Sequence, residues 1–135
     1  MIEGMYQIGQ VAESVGLSLR TIRHYEEVGL VPPSGRSAGG FRLYSDDDVD
    51  RLRLVRQMKP LEFSLEEMRE LLELRDRLAA GSAGREQDEL VERLELFSEA
   101  AERRCETLRG QLDAAEALAE SLRREVRRHR PRARR

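Results

Sequence analysis

Apolar positions along the first third of the chain recur at the spacing of a short amphipathic helix, twice. Ile8, Val11, Ala12 and Val15 fall on one helical face that stops at Gly16, and Ser18 stands where an N-cap opens a second helix. The second helix is expected from about Leu19 to Val28, with Ile22 and Tyr25 on one face and Arg20, Thr21, Arg23 and His24 left on the others. Gly29 is a natural stop, because glycine enters the left-handed conformation cheaply. The pattern then changes. Leu30-Val31-Pro32-Pro33 is extended, since proline restricts its predecessor, and a loose stretch from Ser34 to Gly40 leads into Phe41-Arg42-Leu43-Tyr44. This predicts a small two-stranded hairpin. Its second strand should direct Phe41 and Leu43 one way and Arg42 and Tyr44 the other.

Helical signals resume at Ser45, an N-cap followed by three aspartates that favour the positive end of the helix dipole, with Val49, Leu52, Val55 and Met58 as the buried stripe. Lys59-Pro60-Leu61-Glu62-Phe63 breaks that helix. Ser64-Leu65-Glu66-Glu67 is a capping box for a fourth helix carrying Met68, Leu71, Leu72 and Leu78. Residues 1–80 therefore form one helix-rich domain, and 81–85, around Gly81-Ser82-Ala83-Gly84, read as a linker. From 86 to 128 helix formers continue, with Gly110 the one weak point, at a cost of up to about 1 kcal/mol against alanine. Leu90, Leu94, Phe97, Ala101, Cys105, Leu108, Leu112, Ala115, Ala119, Leu122 and Val126 recur in steps of three and four, a coiled-coil seam with one extra four-residue step, a stutter, between Ala101 and Cys105. So narrow a stripe needs a partner helix, and an identical chain is the obvious source. Residues 129–135 are too polar to pack and are expected to form a disordered basic tail.

Composition supports this division. Of 135 residues, 39% are hydrophobic, 4% aromatic and 37% charged, which suits long solvated helices that bury surface against a partner better than one thick core. No apolar run reaches the roughly 20 residues that cross a bilayer, and no basic-then-apolar leader opens the chain, so a soluble cytoplasmic protein without membrane contact is expected. One cysteine and two histidines exclude a disulfide framework and leave no cluster at metal-ligand spacing, and no cofactor is implied. Paired carboxylates, a nucleophile with its base and a phosphate loop are also missing, which argues against an enzyme. The net charge of −2 speaks against nucleic acid, but its distribution matters more. From Arg123 to Arg135 there are eight arginines and one glutamate, so that end carries +7 and the rest of the chain −9.

Two short helices followed by a glycine-rich hairpin suit duplex DNA, the second helix entering the major groove and the hairpin arginines reaching phosphates or the minor groove. The residues Tyr6-Gln7-Ile8-Gly9-Gln10-Val11-Ala12, Thr21-Ile22-Arg23-His24-Tyr25-Glu26-Glu27-Val28-Gly29-Leu30, Gly40-Phe41-Arg42-Leu43-Tyr44, Asp48-Val49-Asp50-Arg51-Leu52 and Phe63-Ser64-Leu65-Glu66-Glu67-Met68 come in an order and at intervals that resemble the MerR family of transcription regulators. The resemblance covers the first half of the chain. It implies a mainly α fold, a winged helix-turn-helix of four short helices and a two-stranded wing, followed by a long helix in an antiparallel coiled-coil homodimer. It also implies binding to a pseudo-palindromic double-stranded promoter element and activation by distorting DNA, so that RNA polymerase holoenzyme is engaged indirectly. Carried over residue by residue, Arg20, Thr21, Arg23, His24 and Tyr25 lie in the recognition helix, Arg42 and Tyr44 in the wing, Arg36 in its loop and Lys59 at a second wing.

Several alternatives stay open at this stage. Tyr25 and Tyr44 serve either as phosphate contacts or as core, and Arg36 as a contact or a solvated loop residue. Glu62 departs from the family pattern, which often has glycine there, and a turn needing positive φ would strain it. The cysteines of metal-sensing and superoxide-sensing relatives and the added domain of drug-binding ones are not recognisable, so no effector is indicated. Cys105 lies near the midpoint of the long helix and is read as a small buried hydrophobe or, more sharply, as a thiol switch activated by Arg103, Arg104 and Arg109. An architectural, excisionase-like DNA-bending protein and a coiled-coil adaptor for another protein are the rival classes.

Overall fold

The computed structural model describes residues 4–132. Strand β1 (Met5–Gln7) leads directly into helix α1 (Ile8–Val15), which ends where Gly16 turns left-handed at φ 73°. Helix α2 (Leu19–Glu27) opens on Ser18, whose Oγ accepts from the Thr21 backbone N–H at 3.1 Å, and Gly29 takes up the positive φ just beyond it. Strands β2 (Gly35–Arg36) and β3 (Arg42–Ser45) follow, then helix α3 (Asp46–Met58), a 3-10 turn (Lys59–Leu61), helix α4 (Leu65–Ala80) and helix α5 (Gly84–His129). The long helix begins two residues earlier than the sequence indicates, so the linker shortens to 81–83, and helix continues to His129, into the stretch expected to be tail. Residues 133–135 of that tail lie outside the described residues.

The wing has three strands rather than two. β3 runs down the middle of an antiparallel sheet in the order β1-β3-β2, with Tyr6 opposite Tyr44 on one side and Arg36 opposite Arg42 on the other. Because β3 is central and backed by the helices, Leu43 and Tyr44 are both buried, although they point to opposite faces. Phe41, expected to share the inward face with Leu43, precedes the strand and stands 63% exposed.

The helices pack on this sheet through the predicted stripes. Val11, Val15, Ile22, Val49, Leu52, Val55, Met58, Met68 and Leu72 are buried together with Leu30, Val31, Phe63 and Leu74. Asp48 is the one buried charged residue in this core, and it is satisfied. It accepts from the Ser45 backbone N–H at 2.9 Å and from the Ser34 hydroxyl, while Ser45 Oγ accepts from its N–H at 3.1 Å, so one capping box ties the start of α3 to the loop before β2.

The chain divides into two compact units between Glu95 and Leu96. The first turns of α5 thus belong to the N-terminal unit. Leu90, expected in the seam, is 2% exposed and already covered by its own protomer, and Arg77 pairs with Glu86 at 3.1 Å. Leu94, Leu108, Leu112, Leu122 and Val126 are exposed, and Phe97, Ala101 and Cys105 are half-buried.

Among the described residues Glu62 is the only non-glycine at positive φ, 59°. It closes the 3-10 turn ahead of the α4 cap. A left-handed residue with a Cβ costs about 1–2 kcal/mol, of which glycine forfeits about half through the greater freedom of its unfolded chain. Glu62→Gly should therefore stabilise the protein by about 0.5–1 kcal/mol, read as a higher urea midpoint at unchanged slope. A lower midpoint would mean that the Glu62 side chain contributes more than its backbone costs.

Candidate nucleic-acid interface

Helix α2 buries Ile22 and Tyr25 and turns Arg20, Arg23 and His24 outward. Its N-terminus is fixed by Ser18, which also donates from Oγ to Thr21 Oγ1 at 2.8 Å. Its C-terminus is held by Arg69 of α4, whose Nη2 donates to the Val28 carbonyl at 2.7 Å, a cation where the helix dipole favours one. A helix of nine residues is marginal alone. Locked at both ends, it presents a fixed row of side chains.

The wing lies to one side of that row. Arg42 donates from Nε to both carboxylate oxygens of Glu26, at 2.9 and 2.8 Å, and Arg36 Nη2 lies 3.6 Å from the same carboxylate. Glu26 sits in the last turn of α2, so one acid joins the recognition helix to two wing arginines. The Arg42 hydrogen bond holds the Glu26 carboxyl below the usual carboxylate range, opposed by partial burial and assisted by the charges of Arg42 and Arg36. Since only Nε of Arg42 is used, its two terminal nitrogens remain as donors toward solvent.

On the other side a cleft of about 360 Å³ separates α2 from the turn before α4. Arg20, Thr21, His24 and Tyr25 form one wall, and Lys59, Phe63, Leu65 and Met68 the other. Lys59 is exposed at its mouth, so the structure brings it to the recognition helix as the sequence suggested. The His24 and Tyr25 rings lie 6.0 Å apart and tilted by 45°.

The two tyrosines are less available than the arginines. Tyr25 is 3% exposed and Tyr44 is fully buried, with a hydroxyl that has no hydrogen-bond partner in the structure. Burial pushes the ionisation of both phenols up. Tyr44 packs the core beneath the wing in this structure, the second of the two roles open to it. Glu26 was not singled out from sequence, and no periodicity rule would pair a helix residue with a strand residue sixteen positions later. Among the described residues no group of acids, histidines and cysteine could hold a metal ion, and no helix is long and apolar enough to cross a membrane.

A capped helix with an exposed basic face, flanked by a three-stranded wing and a second basic turn, defines a winged helix-turn-helix protein. Residues 6–74 match the family model described as MerR HTH family regulatory protein, and the chain belongs to that family. It is 45% identical over 76 residues to the HTH-type transcriptional regulator HmrR of Sinorhizobium medicae, covering 56% of this chain and 52% of that protein. To the HTH-type transcriptional regulator ZntR of Escherichia coli it is 44% identical over 71 residues, covering 53% and 50%. The chain spans about half the length of the curated relatives it matches. Among solved structures it resembles HiNmlR, a MerR family regulator lacking the sensor domain and bound to promoter DNA, with TM-score 0.66 and 26% identity over 93% of this chain and 94% of that one. The N-terminus of MtaN, the Bacillus subtilis multidrug transporter activator, aligns with TM-score 0.52 and 29% identity, covering 90% and 97%.

The Glu26 pair gives a pH-dependent prediction. A carboxyl whose folded value lies below its unfolded one stabilises fully above about pH 4.3, and that stabilisation is lost as the pH falls through the lower folded value. Glu26→Gln should thus be less stable than wild type at neutral pH and approach it in acid. Urea midpoints at about pH 7 and about pH 3 test this, and a difference that persists in acid would assign the loss to packing.

Proposed function

We propose that the chain is a sequence-specific transcription regulator that binds a pseudo-palindromic promoter element as a homodimer and acts by distorting that DNA, engaging RNA polymerase holoenzyme only through it. The observation that carries this reading is the placement of Arg20, Arg23 and His24 on one exposed helix face, between wing arginines at Arg36 and Arg42 and Lys59 at the opposite turn. Three basic elements of this spacing suit a helix in the major groove with phosphate contacts on both flanks. In this reading residues 1–80 bind DNA and 86–128 dimerise.

The sequence of α5 favours an antiparallel pair. Reversed about a point between Glu106 and Thr107, its seam falls on itself to within one residue: Cys105 meets Leu108, Ala101 meets Leu112, Phe97 meets Ala115 and Leu94 meets Ala119. In the last three levels a large side chain faces a small one, which is how a two-helix seam fills without voids. Reversal also sets the acidic end, with Glu86, Asp88, Glu89, Glu92 and Glu95, beside the arginines from 123 onward. Cys105 would lie close to its symmetry mate.

Binding titrations with fluorescent duplexes over a range of salt test the assignments. Arg23→Ala and Arg42→Ala should each weaken binding to any duplex and reduce the slope of log K against log salt by about one, whereas Arg20→Ala should chiefly relax base preference. Unchanged slopes would remove the arginines from the phosphate contacts. Leu108→Glu with Leu112→Glu places charges in the seam and should yield monomers by sedimentation, with poor DNA affinity. A dimer of undiminished strength would move the interface elsewhere.

A further inference from the structure

The wing carries an aromatic side chain that the fold does not use. Phe41 is 63% exposed, next to a fully enclosed tyrosine core and at the tip of a hairpin whose other prominent side chains are basic. An exposed phenylalanine on a disordered loop would carry little meaning. This one is held from several directions. Its N–H donates to Ser37 Oγ at 3.1 Å, and its carbonyl accepts from the Ser37 N–H at 2.8 Å. Gly40, at φ +82°, makes the turn, with its N–H on the Ser37 carbonyl at 2.9 Å and its carbonyl on Arg36 Nη1 at 3.1 Å. The ring lies across Gly39 so closely that a Cβ there would stand 3.1 Å from ring atom Cε2. The glycines therefore serve this ring: one allows the turn, the other leaves room for it.

On either side of Phe41 stand Arg36 and Arg42, opposite each other in the β2–β3 register and both oriented by Glu26. A rigid apolar plate between two cations complements one surface of duplex DNA, the sugar wall of a groove, where apolar deoxyribose faces alternate with phosphates. Stacked bases offer no free face, and a wedge driven between them would have to meet an unstacking cost of a few kcal/mol. A ring lying back along its own backbone is not shaped for that.

We propose that Phe41 is a DNA-contacting residue of the wing, packing against the deoxyribose wall of the minor groove while Arg36 and Arg42 take the flanking phosphates. The inference rests on the DNA-binding reading above and adds a contact of another kind. The arginines contribute through counterion release, which salt suppresses; Phe41 contributes by removing apolar surface from water, which salt leaves almost untouched. Because the tip is already ordered, little freedom is lost when it docks.

The two contributions separate in one experiment. The full chain is titrated by fluorescence anisotropy against a duplex that wild type selects from a random pool, at several salt concentrations, as wild type, Phe41→Ala, Phe41→Tyr and Arg42→Ala. Phe41→Ala should bind about three- to tenfold more weakly at every salt concentration with the wild-type slope, Phe41→Tyr should bind nearly as wild type, and Arg42→Ala should lower the slope. The thermal midpoint of Phe41→Ala should not fall, since the ring is not part of the core. Wild-type affinity in Phe41→Ala at all salts would overturn the contact while leaving the regulator reading intact, even if promoter output fell, because the ring would then face a protein. Loss of affinity with a lowered midpoint would make the ring structural and would also overturn the proposal. Wild type that selects no duplex would overturn the regulator reading itself.

Discussion

The geometry of the interface depends on a single carboxylate. Arg36 and Arg42 sit opposite each other on neighbouring strands, and like charges at paired positions repel. Glu26 resolves that conflict by standing beside both, and because it belongs to α2 rather than to the sheet, it also sets where the wing lies relative to the recognition helix. Two elements that must meet DNA together are thereby placed by one ion pair that is partly shielded from solvent, where attraction is stronger than at an open surface. Arg69 on the α2 C-terminus and Ser18 on its N-terminus complete the same fixation. A short helix and a small wing, each marginal alone, become one rigid surface.

Much of this was legible in the sequence because caps and stripes are local. Ser18, Ser45 and Ser64 each open a helix as their neighbours require, and Gly16 and Gly29 close the first two. The positive φ of Glu62 was also foreseeable, because the turn between two well-marked helices left few other conformations. What escaped depends on tertiary neighbours. β1 is three residues long and abuts α1 without a turn, so nothing local marks Met5–Gln7 as a strand. Missing it made β3 an edge strand with one wet face, and the inward place was then given to Phe41 instead of Tyr44. Leu90 follows the same logic: its spacing fits the seam, but spacing cannot say that α4 and its neighbours reach the start of α5 first.

The long helix illustrates the opposite constraint. From Val91 onward none of its large apolar residues is fully buried within the protomer, and Leu96, Leu112, Leu118, Leu122 and Val126 are each more than half exposed. An amphipathic helix gains most of its stability from packing its apolar face, so 46 residues of regular helix with so little covered imply that folding and association are linked. The alternation of large and small residues about the midpoint then does more than permit pairing. It penalises a shifted register, in which Leu would meet Leu and Ala would meet Ala, so the separation of two DNA-reading heads is set by side-chain volume.

The overall charge of −2 fits this division of labour. A protein that held DNA by charge alone would be basic throughout and would bind any duplex. Here the acids of α3, α4 and the first half of α5 offset the arginines, and Glu26 cancels part of the wing's own charge before DNA arrives. Long-range attraction is therefore weak, and binding has to come from groups within contact distance whose positions are fixed in advance. That requirement rewards a capped helix, a clamped wing and an ordered aromatic tip, because each contributes only when the groove has the right shape. Discrimination then comes from geometry, with salt-sensitive charge as its auxiliary.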